Sequence, residues 1–127
     1  MEKKKLNQCL LELAHGDLEK LALTLSDEDP EDFDVMYLKS KFSIDASETG
    51  AAFDKRALKS LFFLAKKGYA PALYDVGLKY YCGDGVEESL EKYILCLIAA
   101  SDGGHKLAAT TLQREIESRL TFGEEVD

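Results

Sequence analysis

The chain has 127 residues, 46% of them hydrophobic and 31% charged, the balance of an ordinary soluble domain rather than of a disordered or fibrous segment. A chain of this length can bury a core without disulfides or a structural metal, and Cys9, Cys82 and Cys96 show no CxxC or Cys/His ligand spacing, so all three are expected to be buried free thiols. With 24 acidic against 16 basic residues the formal charge is −8, which argues against nucleic-acid binding, where a basic face supplies the affinity, and favours a basic protein partner.

In chain order, the first residues lead into Leu6 with Asn7, Gln8 and Glu12 interrupting what would be the apolar centre of a secretory leader, so the expected compartment is the cytoplasm. Leu6, Leu10, Leu13, Ala14, Leu18, Leu21 and Leu25 trace a helical face over 4–25. His15, Gly16 and Asp17 read as a stop followed by a new cap, leaving either one helix or two short ones. Residues 26–34, SDEDPEDFD, form the sharpest change in composition, with Asp27, Glu28, Asp29, Glu31, Asp32 and Asp34 and no intervening base. Asp29 is the expected N-cap and Pro30 the first helical residue, with acids facing the positive helix end. That placement uses several of the six acids, and the group as a whole is a candidate anionic contact patch. It lacks the alternating oxygen ligands and turn glycine of a calcium loop.

The next helix is expected over about 31–42 and presents Phe33, Met36, Tyr37 and, further on, Ile44. After a break at 43–50, a helix over about 51–67 carries Phe53, Ala57, Leu58, Leu61, Phe62, Leu64 and Ala65 as a broad apolar band, ended by Lys66, Lys67 and Gly68. Two further helices follow, joined by Gly83, Asp84 and Gly85. The first carries Ala72, Leu73, Val76, Tyr80 and Tyr81, the second Leu90, Tyr93, Ile94, Leu97 and Ile98. A chain reversal between them needs positive φ, which glycine adopts without steric cost, and Val86 plugs the joint. Residues 93–100 are too short to span a bilayer, which takes about 20 residues, and read as a buried helix. A closing helix over about 105–120 puts Leu107, Ala108, Leu112, Ile116 and Leu120 on one side, and 123–127 read as a frayed acidic tail after a single 1–122 domain.

Val76-Gly77, Tyr80, Gly83-x-Gly85-Val86, Lys92, Ala100, Gly104-His105 and Ala108 together resemble the Sel-one-like repeat, a relative of the tetratricopeptide helical hairpin. Ser89, Tyr93 and Ser101 depart from that pattern. Sliding the chain by 36 positions lays Gly68 on Gly104, Ala57 on Tyr93, Leu61 on Leu97 and Ala72 on Ala108, a period of the length found in stacked helical hairpins. Upstream, Ser47 and Thr49 fall opposite Gly83 and Gly85, so that turn must differ, with both residues available as caps. The resemblance implies an all-α fold, a short right-handed solenoid of antiparallel helix pairs whose concave face holds a protein partner. It is compatible with a small bacterial immunity or inhibitor-type protein that binds and occludes a cognate toxin or enzyme, or with an adaptor or regulatory scaffold.

His15 and His105 are the only histidines, and neither has companions that would make a catalytic or metal set. No catalytic residue, cofactor or metal is expected. Of the tyrosines, Tyr80 and Tyr93 are expected in packing and Tyr74 is the candidate for an exposed partner contact, beside the six acids of 26–34.

Overall fold

A computed structural model of the chain describes residues 1–43 and 45–126, the last six of these as helix backbone only. Ile44 and Asp127, named above, lie outside the described residues. The described chain is all-helical: α1 (Lys3–His15), α2 (Leu18–Ser26), α3 (Phe33–Lys39), α4 (Gly50–Lys66), α5 (Ala70–Cys82), α6 (Leu90–Asp102) and α7 (Lys106–Val126). None of these helices is long and apolar enough to cross a membrane. The chain divides into two compact units, Met1–Leu61 and Phe62–Asp127.

In the first unit, the leucine-rich start makes two helices, because Gly16 takes a left-handed conformation at φ 76° and ends α1. The break rotates the faces. Cys9 and Glu12 are the buried residues of α1 and Leu21 and Leu25 those of α2, whereas Leu10, Ala14 and Leu18, expected on one continuous face, are exposed. With Val35, Leu38 and Phe42, the apolar members of this set form the core, against which Met1, Leu6, Leu13 and Ala22 pack.

Helix α3 is shorter than expected and starts later. Asp32, not Asp29, is its N-cap: the Asp32 carboxylate accepts from Asp34 N at 2.8 Å and Val35 N at 3.2 Å. Asp29 instead holds a turn, accepting from Glu31 N at 2.9 Å, so Pro30 sits outside the helix. Both aspartates suit a cap chemically, and the burial of Val35 and Leu38 selects the later start. The same choice leaves Phe33 exposed and Met36 and Tyr37 half-buried. After α3, Arg56 of α4 gathers the connecting loop. Its guanidinium donates to Lys39 O (2.9 Å), Phe42 O (3.1 Å) and both carboxylate oxygens of Glu48 (2.9 and 3.0 Å). Thr49 caps α4 by accepting from Ala52 N at 3.1 Å.

In the second unit α6 packs against both α5 and α7. Tyr93, Leu97, Ala100 and Ala108 form the core there, with Leu73, Tyr74, Tyr80, Ile94 and Leu112 around it. Gly77 makes the α5–α6 contact close: a Cβ at that position would lie 3.0 Å from Cys96 Cβ and 3.5 Å from Tyr93 O. The joint after α5 has the expected geometry, with Gly83 at φ 68° and Gly85 at φ 75°, and Ser89 caps α6 by accepting from Lys92 N at 3.2 Å. Two expectations are corrected. Residues 93–100 are buried on one side only, since Leu95, Ile98 and Ala99 are exposed, and α7 continues to Val126 instead of ending near Leu120. A lone glycine at 123 costs a helix only about 1 kcal/mol, and no proline follows to stop it.

The 36-residue register found in the sequence is repeated in the backbone. The turn after α4 pairs Lys67 N with Phe63 O, Gly68 N with Ala65 O and Tyr69 N with Leu64 O; the turn after α6 pairs Gly103 N with Ala99 O, Gly104 N with Ser101 O and His105 N with Ala100 O. Each partner is displaced by the same 36 positions, and Gly68 and Gly104 share φ values of 82° and 89°. The equivalent pairs Ala57 and Tyr93, Leu61 and Leu97, Leu64 and Ala100, and Ala72 and Ala108 are all buried.

Candidate partner-binding surfaces

The six acids of 26–34 are local in the fold but not equivalent. Asp32, besides capping α3, accepts from the Met1 ammonium, and Asp34 lies 3.6 Å from the same nitrogen. This contact raises the pKa of the amine and lowers that of Asp32, in each case chiefly through their mutual hydrogen bond. Glu28 pairs with Lys5 Nζ at 2.6 Å, and this hydrogen bond raises the lysine pKa. The sequence shows no base within 26–34; the compensating cations come from the start of the chain. Asp27, Asp29 and Glu31 remain exposed, and among the described residues none of them forms an ion pair. These three are the solvent-facing part of the patch.

Tyr74, the expected exposed anchor, belongs to the other unit and is half-buried. Its ring stacks on His105 with centroids 4.7 Å apart and packs against the core of the second unit. His105 is placed by its own backbone role: its Nδ1 accepts from Ala108 N at 3.0 Å, capping α7. A helical stripe read from spacing alone does not show that a flat imidazole waits opposite Tyr74. The exposed tyrosine is Tyr81, at 51%. It lies against Tyr93, with ring centroids 4.7 Å apart and the planes at 45°, on the face of α5 that Gly77, one helical turn before it, presents to α6. Tyr93 is buried as expected, and its hydroxyl donates to Glu115 Oε1 on α7 at 3.1 Å. Burial, this hydrogen bond and the nearby charge of Glu115 push its phenol pKa up to about 12.

The thiols also divide. Cys9 is buried and Cys96 half-buried, while Cys82, at the end of α5, is exposed, contrary to the expectation of three buried thiols. Among the described residues, no group of histidine, cysteine and carboxylate side chains could hold a metal ion. The chain matches no protein-family model, no curated protein and no solved structure.

Proposed function

We propose that this chain is a non-catalytic protein-interaction module of the Sel-one-like type, its antiparallel helix pairs stacked as a short right-handed solenoid. It acts in the cytoplasm as a small immunity or inhibitor-type protein, occluding a cognate toxin or enzyme that presents a basic surface. The observation that supports this best is the pair of equivalent turns after α4 and α6, which share three backbone hydrogen bonds at a 36-residue period. Repeated hairpins of this kind bury their apolar faces on neighbours and present side chains to partners. The formal charge of −8, with Asp27, Asp29 and Glu31 exposed, favours a basic partner by accelerating encounter and disfavouring acidic competitors.

An adaptor is the second reading, because large apolar side chains are exposed in both units, among them Leu11 (60%) and Leu23 (72%) in the first and Leu95 (56%) and Leu107 (53%) in the second. The two readings separate on stoichiometry. A partner captured from the native host is purified and its activity titrated with this protein. An inhibitor abolishes that activity at a fixed molar ratio and protects cells that make the partner; an adaptor leaves the activity in place and retains a second protein in the complex. Catalytic turnover of a substrate by the purified chain would overturn both.

A further inference from the structure

Four partly exposed aromatic rings of this chain are each faced by one of its own cations. Lys41 Nζ lies 4.7 Å from the centre of the Tyr37 ring, Arg56 Cζ 5.2 Å from Phe53, Lys67 Nζ 5.7 Å from Phe63 and Lys92 Nζ 5.3 Å from Tyr80. A cation over a ring face is attracted by the negative face of the π system. Tyr81 is different. It is the most exposed aromatic among the described residues, it rests against Tyr93, and no cation of the described chain stands over it.

The ring on which Tyr81 rests leads to a carboxylate. The buried hydroxyl of Tyr93 donates to Glu115 Oε1, which fixes that carboxylate at the edge of the tyrosine pair. A chain of contacts thus joins the three helices: Tyr81 of α5 rests on Tyr93 of α6, and Tyr93 reaches Glu115 of α7. The second carboxylate oxygen, Glu115 Oε2, accepts from Arg119 Nη2 at 3.1 Å, and Arg119 is itself half in solvent, at 49%. This is a solvent-facing pair one helical turn apart, of the kind that is weakly held and easily exchanged. Glu115 Oε2 is thus already seen accepting from a half-exposed guanidinium.

We propose that Tyr81, backed by Tyr93 and Glu115, is the seat of one arginine side chain from the protein partner, with Arg119 occupying the carboxylate until that arginine displaces it. Arginine fits better than lysine because a planar guanidinium can stack on a ring and hydrogen-bond a carboxylate at the same time. The proposal rests on the reading of the chain as a binder of a basic protein, and names the side chain that reading leaves open.

The test uses the full chain with tyrosine rings labelled for NMR and an acetylated, amidated triarginine peptide as probe. The Tyr81 and Tyr93 ring signals shift saturably while those of Tyr37 do not. Tyr81→Leu keeps apolar bulk without the π face and weakens binding roughly two- to fivefold, the effect of an exposed cation–π contact, whereas Tyr81→Phe retains it. Arg119→Ala frees Glu115 and tightens binding, and Arg114→Ala, made as a control for general charge, does so less. Unchanged affinity of Tyr81→Leu, or saturable shifts that leave Tyr81 unmoved, overturns the seat. Equal affinity for trilysine overturns the assignment to arginine. A captured protein that is inhibited equally well by Tyr81→Leu removes this site and keeps the interaction module. Triarginine seated at Tyr81 in a chain that neither inhibits nor bridges any protein does the reverse.

Discussion

The guanidinium of Arg56 holds the last carbonyl of α3, a loop carbonyl and the Glu48 carboxylate at once, and its effect on Glu48 is readable in pH. The Arg56 hydrogen bond, followed by one from Ser43, lowers the Glu48 pKa from 4.5 to about 2. A carboxylate whose folded pKa is depressed contributes stability that is present above the unfolded value and lost as pH falls through the folded one. The window is therefore from pH 4.5 down to about 2. We expect Arg56→Ala to cost about 1–2 kcal/mol at neutral pH, from the loss of hydrogen bonds to the loop, and to make the fall in stability across that window shallower. Urea midpoints at pH 7, 4 and 3 measure both effects; a window unchanged by the substitution would mean that the acid response comes from Asp32 and Asp45, whose pKa values are also lowered.

Tyr93 gives the opposite limb. Its phenol is held neutral up to about 12 against an ordinary 10, so the associated stability is complete below pH 10 and declines as pH rises toward 12. Tyr93→Phe removes the hydrogen bond to Glu115 and is expected to cost about 1 kcal/mol while abolishing this alkaline decline. Denaturation at pH 8 and 11 checks it. Neither limb is legible in the sequence, since Arg56 and Glu48 are eight positions apart and Tyr93 and Glu115 are 22 apart. No periodicity signals which of many acids will meet which donor.

At the level of helices and turns, two glycines of α5 and its joint are predicted to fail in different ways. Gly83→Val places a β-branched residue at φ 68°, a strained conformation costing about 1–3 kcal/mol, and the cost is confined to the joint. Gly77→Ala has an ordinary backbone and gains up to about 1 kcal/mol in helix propensity, yet its Cβ would stand 3.0 Å from Cys96 Cβ. A Cβ moves only with its helix, so overpacking at about 1–3 kcal/mol prevails and α6 is displaced. We expect both substitutions to lower the melting temperature and only Gly77→Ala to change the Tyr81 and Tyr93 ring signals. A stabilised Gly77→Ala would show that the two helices separate freely.

Helix ends were legible where chemistry is local. Lys66-Lys67-Gly68, Gly83-x-Gly85 and Thr49 act as their residue types predict; Ser89, read only as a departure from the repeat pattern, is a cap as well. The start of α3 was not, because Asp29-Pro30 and Asp32-Phe33 offer the same signal and only the core contacts of Val35 and Leu38 choose between them. Apolar stripes were read too broadly for a related reason. Spacing marks a side of a helix about three residues wide, and the packing partner covers a narrower strip, leaving Tyr81, Leu90 and Ile98 outside it.

For the molecule as a whole, the charge of −8 is expected to govern how fast a basic partner arrives more than how long it stays. Replacing Asp27, Asp29 and Glu31 with their amides should move the melting temperature by no more than about 2–4 °C, since an amide oxygen at position 29 still accepts from Glu31 N. The same triple variant should slow association severalfold at low salt and much less at 0.5 M, where screening acts within about 4–5 Å. Stopped-flow association with the captured partner measures this. Rates indifferent to both salt and substitution would mark the patch as a solvated connector. The sequence pointed to this stretch but overstated it, since Lys5 and the Met1 amine engage Glu28, Asp32 and Asp34.

The uneven fate of the three thiols has a practical sequel. Cys9 is enclosed by core residues and Cys96 lies against Gly77, and burial raises the pKa of both, which slows their reaction with alkylating reagents. Cys82 stands in solvent immediately after Tyr81. One equivalent of a maleimide dye should therefore modify Cys82 first and, without any engineered cysteine, install an optical reporter beside the ring on which a partner's arginine is expected to settle.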